Sequence, residues 1–367
     1  MRSSIALGWF ATSLQLALRF SWGVVAVAFA YTLHLNSVEI GSVLFLFYLG
    51  YVTSSTPWGV FIDRVGPKIA LFISSLSSSL LIPFIPTVRD VSTLYLLYLA
   101  EGVLTAGIYP SSVKIISSLE KGLTRDLALL DSAAPTVMLA LSLLSPLILT
   151  YWRQFFLLLS SSFLVSSLLT LSLKVRVGPS KRSVRVVVDK KVWTVALIRL
   201  GEQWGLWGTS SWLFPFLVLY DGVGRSVSEI LFVLYAAGQA TSIALIRVLK
   251  GDDVKLVELS LIAFIASLLV VSLTRDPYLL VPFSFTLGVS SFLCRPPTDS
   301  LVVRVVGSGS AGTSMGLANA VSQVGSMVAP LVVGLVLHLG SDVVAIDSLA
   351  LGPILSLTLV EAVKHNV

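Results

Sequence analysis

Several charged side chains lie within long apolar runs of this sequence, where they could do chemistry. The ones placed deepest in such runs are Arg19, Glu101, Arg199, Glu202 and Arg295. A guanidinium group can hold a carboxylate or a phosphate through two parallel hydrogen bonds. A glutamate can carry a proton, because protonation removes its charge. Placing such a charge at the depth of a lipid bilayer costs upwards of about 2.5 kcal/mol, so these residues are candidates for function.

The composition indicates the kind of chain in which these charges sit. Of the 367 residues, 55% are hydrophobic and 12% are charged, and the mean hydropathy is +0.92. Apolar runs of about 20 residues recur from end to end, as in polytopic membrane proteins. Charged or Pro/Gly-rich breaks predict twelve helical spans, at 5–34, 38–62, 68–88, 93–116, 127–150, 154–174, 192–219, 227–249, 256–273, 278–303, 312–338 and 343–363.

The loop charges predict the orientation of the spans. An even number of spans places both termini on one side, and most of the 25 Lys and Arg residues lie at the termini and in the loops that join even to odd spans. The opposite loops hold Arg89, Arg153, Arg225 and Arg275. By the positive-inside rule we expect a multi-pass protein of the cell membrane with both termini in the cytoplasm.

The middle of the chain divides two similar halves. We expect one six-helix bundle at 1–174, a basic cytoplasmic linker at 175–191 and a second bundle at 192–367. The linker charges suit topology and anionic lipid headgroups, and we expect no nucleic-acid partner. "LALRFSWGVV" around Arg19 is echoed by "ALIRLGEQWG" around Arg199, 180 residues later. Such an echo is typical of a six-helix unit repeated in parallel.

Three motifs resemble those of the major facilitator superfamily of membrane transporters. "GVFIDRVGPK" is similar to the family's G-x-x-x-D-R-x-G-R-K loop between spans 2 and 3, with Pro67 departing from the usual Arg. "YWRQFF" is similar to its W-R-x-x-F between spans 5 and 6, and "GTSMGLANAVSQVGSMVAPLVVGLV" resembles its span 11. The resemblance covers the whole chain. It implies an all-α membrane protein with twelve transmembrane helices in two pseudo-symmetric six-helix bundles.

The same resemblance implies a cytoplasmic gate at the loop between spans 2 and 3. The residues that match the family motif are Gly59, Asp63, Arg64, Gly66 and Lys68. We expect Gly59 to let span 2 approach a helix of the other half, and Asp63 to meet a helix N-terminus there. The alternative is that these charges only set topology.

The resemblance also implies a substrate site. Span 1 and span 7 arginines bind anions in the organophosphate:phosphate exchangers and anion:cation symporters of the superfamily, and Arg19 and Arg199 occupy similar positions. The alternative is that Arg19 pairs with Glu101, and Arg199 with Glu202, as structural bridges. Other candidate substrate-binding residues are polar or aromatic side chains on the same kinds of span: Trp22, Gln203, Gln239, Asn319 and Gln323. Most aromatic residues in membrane helices pack or anchor, so each of these has a structural alternative.

Glu101 is the leading candidate for proton coupling, and Glu202 is the second. The predicted function is secondary active transport of a small organic anion by symport or antiport, in a monomer without cofactor. One alternative is a proton-coupled drug or sugar exporter, and another is a transporter-like receptor or sensor. We expect no enzyme, because no H-E-x-x-H motif occurs and the histidines lie at helix ends. We expect no metal, because Cys294 is the single cysteine and the three histidines are scattered.

Overall fold

The computed structural model describes residues 2–117, 123–173, 190–249, 252–298 and 311–364, which are almost entirely helical. Two 3₁₀ helices, Ile82–Thr87 and Ser348–Ala350, join longer elements. The α-helices are α1 (Arg2–Leu33), α2 (Ser37–Val65), α3 (Pro67–Leu81), α4 (Val91–Thr105), α5 (Ile108–Ser117), α6 (Leu123–Asp131), α7 (Ala133–Leu143), α8 (Ser145–Thr150), α9 (Trp152–Leu171), α10 (Lys190–Leu219), α11 (Arg225–Val248), α12 (Asp253–Leu273), α13 (Pro277–Leu293), α14 (Ala311–His338), α15 (Asp342–Asp347) and α16 (Leu351–Lys364).

These elements confirm the twelve-span prediction. Eleven stretches within the described ranges are long and apolar enough to cross a membrane. The twelfth span is α10, which is 30 residues long and more polar because it carries Arg199, Glu202 and Gln203. Because an α-helix satisfies its own backbone hydrogen bonds, apolar segments that lie in lipid fold as helices.

Proline residues break two spans that the sequence analysis treated as continuous helices. The span at 93–116 divides into α4 and α5, and the span at 127–150 divides into α6, α7 and α8. Each break lies two to four residues before Pro110, Pro135 or Pro146. A proline ring clashes with the carbonyl four residues earlier and removes one backbone donor, so the helix interrupts there. Other prolines lie inside unbroken helices, namely Pro57, Pro215, Pro282 and Pro330.

The chain forms two compact units. Unit 1 comprises Met1–Leu35 and Leu46–Arg182, and in it α1 packs on α5, α7 and α9 while α3 packs on α9. Unit 2 comprises Asn36–Phe45 and Ser183–Val367, and in it α10 packs on α14 and α16 while α11 packs on α13. The first turns of α2 therefore belong to unit 2. Most of the predicted linker, 175–189, lies outside the described residues, so the predicted boundaries stay predictions.

Glycines bring several pairs of helices into direct backbone contact, and two of these pairs, one in each unit, are matching spans of the two halves. A methyl group at Gly102 on α4 would lie 2.0 Å from the carbonyl oxygen of Phe47 on α2. A methyl group at Gly288 on α13 would lie 1.9 Å from the carbonyl oxygen of Tyr235 on α11. Small residues allow such close packing in lipid. Because the two pairs are matching spans of the two halves, the internal repeat is present in the packing as well as in the sequence.

We expect Gly102→Ala and Gly288→Ala to destabilise the protein, because the added methyl group would overlap a backbone oxygen that cannot rotate away. The cost of such overpacking is about 1–3 kcal/mol. Gly59→Ala is the matched control, since nothing lies within 4 Å of a methyl group there. Thermal unfolding of the purified protein in detergent would measure the difference. Parent-like melting of Gly102→Ala and Gly288→Ala would contradict the packing described above.

Candidate functional site

Arg19 is held by aromatic rings inside unit 1. It lies on α1 and is 8% exposed. Its guanidinium carbon is 4.6 Å from the centre of the Phe20 ring and 5.3 Å from the centre of the Tyr48 ring. Ring faces stabilise a cation that has left water. Stacking uses the faces of the guanidinium group, whereas its N–H donors lie in its plane and suit edge-on binding of a carboxylate or phosphate.

Polar groups of α2 and α4 surround the same part of α1. Tyr51 lies beside Gln15 and within the electrostatic reach of Arg19. The Gln15 side-chain nitrogen donates a hydrogen bond to the carbonyl oxygen of Thr105, at 2.9 Å. The sequence analysis missed Gln15, Tyr48 and Tyr51. The signal was present, because Tyr48 and Tyr51 are three residues apart and so share one face of a span next to that of Arg19.

Glu101 is fully buried on α4. Neither of its carboxylate oxygens has a hydrogen-bond partner among the described residues, although the Ser78 side chain of α3 lies close to them. The bridge between Arg19 and Glu101 that the sequence left open is therefore not formed in this structure. A buried carboxyl group without a cationic partner can hold a proton, which is the property that proton coupling needs.

Trp22 lies in the aromatic core of unit 1 and is 1% exposed. Its ring stacks on Phe29, with 5.7 Å between centroids, and meets the edge of Tyr98 at 5.1 Å. Aromatic pairs in this geometry contribute packing energy beyond the area they bury. The structure thus shows a packing role for Trp22, and its assignment to the substrate site stays a prediction.

Arg199, Glu202 and Gln203 are buried on α10 in unit 2, at 4%, 7% and 4% exposure. The Glu202 carboxylate accepts a hydrogen bond from the hydroxyl of Thr298, a fully buried residue beyond the end of α13. The Gln203 side-chain oxygen has no hydrogen-bond partner among the described residues. Glu202 is therefore a hydrogen-bonded carboxylate, whereas Gln203 offers an acceptor for a ligand. The sequence analysis did not single out Thr298.

Gln239 on α11 belongs to an internal hydrogen-bond network. Its side-chain nitrogen lies 3.3 Å from the Ser210 hydroxyl and 3.5 Å from the Ser291 hydroxyl. The Tyr235 hydroxyl is 2.9 Å from that of Ser210. The network ties α10, α11 and α13 together, so Gln239 has structural partners before any ligand binds.

The other two candidates on the sequence list lie on α14. Gln323 is 9% exposed, and its side-chain oxygen has no hydrogen-bond partner within the described part of the chain. The side chain of Asn319 lies outside the described residues. Gln323 is therefore a possible acceptor in unit 2, like Gln203.

Three residues of the loop motif shape the turn between α2 and α3. Gly66 has a φ of 90°, a conformation that favours glycine. Pro67 is the first residue of α3, a position whose N–H would have no partner within the helix, so proline is well tolerated there. The Lys68 ammonium group donates to the carbonyl oxygens of Leu171, at 2.7 Å, and Leu173, at 2.8 Å. Lys68 thereby binds carbonyls at the end of α9 and ties it to the start of α3.

The remaining gate residues are more open. The Asp63 carboxylate pairs with the Lys114 ammonium group of α5, with 2.5 Å between oxygen and nitrogen. The Asp63 side chain is 55% exposed, Arg64 is exposed, and Gly59 faces open space. In this structure Asp63 is thus held within unit 1, and its contact with a helix of the other half stays a prediction. The sequence analysis missed Lys114 as its partner.

Each unit has a buried arginine and a buried glutamate among its described residues, Arg19 and Glu101 in unit 1 and Arg199 and Glu202 in unit 2. Among the described residues no group of three or more His, Cys, Asp or Glu side chains could hold a metal ion. The roles of Arg19 and Arg199 in substrate binding, and of Glu101 and Glu202 in proton coupling, stay predictions.

Comparisons with known proteins identify the fold and the family. The family model of the Major Facilitator Superfamily matches residues 8–330. A bacterial homologue of the human lysosomal transporter Spinster, solved in an inward-facing and occupied conformation, superposes with a TM-score of 0.80 at 14% identity, over 99% of this chain and 96% of that one. The nucleoside transporter NupG superposes with a TM-score of 0.77 at 15% identity, over 98% of each chain. No curated protein matches the sequence.

The structural relatives share the fold at low identity, and the family match extends over most of the sequence. The twelve spans, the repeated packing of the two units and the loop motif between α2 and α3 are all consistent with that match. The chain belongs to the Major Facilitator Superfamily and is a multi-pass membrane transporter.

Proposed function

We propose that the protein moves a small organic anion, a carboxylate or a phosphate ester, across the cell membrane by alternating access. The observation that carries the proposal is a buried arginine at the matching position of each repeat, Arg19 on α1 and Arg199 on α10, at 8% and 4% exposure. Arginine at bilayer depth is costly, about 2.5–3.5 kcal/mol on insertion scales, and marks substrate or ion pathways. Each planar guanidinium group can hold two oxygen atoms of a carboxylate or of a phosphate through parallel hydrogen bonds.

Secondary transport needs a coupling ion or a counter-substrate. Glu101 is the candidate proton carrier, because its buried carboxyl group has no hydrogen-bond partner among the described residues. Glu202 is the second candidate, but its bond to Thr298 already holds its carboxylate. Exchange of one anion for another would need neither residue, so proton symport and anion antiport both remain within the proposal.

The proposed orientation follows from the loop charges. The basic loops face the cytoplasm with both termini, and the loops after α1, α10, α12 and α14 face the opposite side. We refer to this opposite side as the outer face.

Glu101 also supports a second candidate function, the proton-coupled export of a cationic drug or a sugar. A buried carboxylate without a partner could attract a cation or accept hydroxyl groups. In that case Arg19 and Arg199 would be structural. The two candidates differ in the charge of the ligand that binds, which a binding screen can measure.

A thermal-shift screen of the purified protein against carboxylates, phosphate esters, sugars and cationic drugs tests the proposed function, since a ligand of the folded state raises its apparent stability. For the tightest anion, we expect Arg19→Lys and Arg199→Lys each to weaken binding on the order of tenfold in calorimetry. Lysine keeps the charge but loses the planar fork. A charge-assisted hydrogen bond contributes about 1.5–3 kcal/mol, and tenfold is about 1.4 kcal/mol.

Arg225→Lys is the matched control, because Arg225 is exposed and pairs with Glu229 on its own helix. It should bind the anion like the parent. Parent-like affinity in both Arg19→Lys and Arg199→Lys would contradict the assignment of these arginines to an anion site. Stabilisation of the protein by cations or sugars alone would favour the exporter.

The gate prediction concerns Asp63. If it helps to close the cytoplasmic side, we expect Asp63→Asn to slow turnover several-fold while changing affinity by less than about twofold, because inward-open states become more populated. Transport by proteoliposomes alongside calorimetry separates the two effects. Lys114→Gln breaks the same ion pair and leaves the carboxylate, so it tells whether the pair or the carboxylate matters. Lys255→Gln is the control for an exposed cytoplasmic charge, and unchanged turnover of Asp63→Asn would leave Asp63 as a topology signal.

A further inference from the structure

One face of α1 lies along a matching face of α4 and α5 inside unit 1. Near the start of α1, a methyl group at Gly8 would lie 3.4 Å from the Cβ atom of Ser112 on α5. About two turns later, the Gln15 side chain donates to the carbonyl oxygen of Thr105, at 2.9 Å. The two contacts are seven residues apart on each helix, so the two faces align over this length. The polar residues along this line, which we call the polar seam, are Ser4, Thr12, Gln15, Glu101, Thr105 and Ser112.

Glu101 lies at the deep end of the polar seam. It is one turn before Thr105, whose hydroxyl donates to the backbone carbonyl oxygen of Glu101 at 2.6 Å. Helix α3 flanks this end of the seam, because the Ser78 side chain lies close to the Glu101 carboxyl group. One turn earlier on α3, the Ser74 hydroxyl donates to the carbonyl oxygen of Leu104. The Glu101 carboxyl group is thus surrounded by α1, α3 and α4.

Two hydroxyl groups of the polar seam call for a further hydrogen-bond partner. Thr12 is 2% exposed and Ser112 is fully buried, and neither hydroxyl has a hydrogen-bond partner among the described residues. The same holds for both carboxyl oxygens of Glu101. Buried polar groups that lack a protein partner commonly bind ordered water, and each such water needs about two to four polar neighbours. The seam therefore offers sites for water from Ser112 to Glu101.

A cavity adjoins the other end of the polar seam. It has a volume of about 650 Å³ and lies between the first turns of α1 and the end of α9. Ser4 lines this cavity, is buried, and lies one turn before Gly8 on the same face of α1. Ser3 and Ser172 also line it and are exposed. Under the proposed orientation, the cavity connects the seam with the cytoplasmic side.

Aromatic rings close the polar seam toward the outer face. The rings of Trp22 on α1 and Tyr98 on α4 meet with 5.1 Å between centroids, and Trp22 also stacks on Phe29. All three side chains are almost completely buried. Beyond Glu101 the space between α1 and α4 is therefore filled by rings, whereas on the cytoplasmic side of Glu101 it is lined by hydroxyl and amide groups.

We propose that the polar seam is a water-containing proton path, which connects Glu101 with the cytoplasmic side through the interior of unit 1. At about 1.5 Å per residue, the length from Glu101 to Ser112 is about 16 Å, roughly half of a hydrocarbon core about 30 Å thick. The path would let a proton reach Glu101 through unit 1 alone. It rests on the proposed role of Glu101 as the proton carrier, but it does not need an anionic substrate.

Water is the other reactant in each transfer along the path. To release the proton, the O–H bond of the Glu101 carboxyl group breaks and the proton joins the oxygen of the adjacent water. That water passes one of its own protons to the next, so each oxygen along the seam regains its original number of protons. A hydronium ion leaves through the cavity at Ser4, and a carboxylate remains at Glu101. Loading of Glu101 is the reverse of these steps.

Deuterium exchange at the Glu101 carboxyl group tests the path without any substrate. The full-length purified protein is transferred from H₂O to D₂O, and infrared spectroscopy follows the carbonyl stretch of the protonated carboxyl group, which shifts when O–H becomes O–D. The Glu101 band is the one that Glu101→Gln removes. We expect Thr12→Val and Ser112→Ala each to slow its exchange on the order of tenfold, because each variant removes a hydrogen bond along the route of a moving charge.

Thr170→Val is the matched control for Thr12→Val. Thr170 is fully buried on α9 in the same unit, but its hydroxyl already donates to the carbonyl oxygen of Ser166, at 2.8 Å. We expect Thr170→Val to exchange at the parent rate. Thr12→Ser keeps the hydroxyl and should restore fast exchange, which a role of Thr12 in packing alone would not do. Thermal unfolding of each variant separates a slower exchange from a change in stability.

Three results would overturn the proton path. They are exchange at the parent rate in both Thr12→Val and Ser112→Ala, an equal slowing in Thr170→Val, and the absence of a protonated carboxyl band that Glu101→Gln removes. Slow exchange in Thr12→Val and Ser112→Ala would support the path even where the binding screen finds no anion. The path and the anion site therefore stand or fail separately.

Discussion

The cost of taking charge out of water governs this structure. Few charged residues lie inside the spans, and the surroundings that stabilise them differ from one residue to the next. Arg19 lies against two aromatic rings, and Glu202 accepts a hydroxyl hydrogen bond. Glu101 has neither kind of partner among the described residues. On this ground we propose Glu101 rather than Glu202 as the first candidate for carrying a proton, since the Glu202 carboxylate already accepts a hydrogen bond.

Close helix packing supplies the rigid frame for these groups. Polar networks such as that of Gln239 connect three helices, and glycines such as Gly102 and Gly288 let helix backbones touch. Lipid offers little hydrophobic drive between helices, so contact area and hydrogen bonds must hold each unit together. Glycine contacts of the same kind occur at matching spans of both halves, so the sequence echo extends into the packing.

Sequence patterns predicted the spans, because long apolar runs and loop charges are local signals. They also identified Gly66, whose positive φ the turn requires. They did not show that Trp22 packs against Tyr98 or that Asp63 pairs with Lys114, since residues far apart in sequence decide both contacts. A proline in the sequence signals a possible helix break, but other prolines of this chain lie inside continuous helices. Which of them interrupts a helix depends on neighbours that restore the lost bond.

The central claim is that the buried arginines and Glu101 serve the transport of an anion. The most direct measurement is uptake of labelled carboxylates and phosphate esters by proteoliposomes, driven either by a pH gradient or by a counter-anion inside. We expect the parent to accumulate an anion under at least one drive, and Glu101→Gln to lose uptake driven by the pH gradient while keeping exchange. Accumulation of cations or sugars with no anion uptake under either drive would contradict the account.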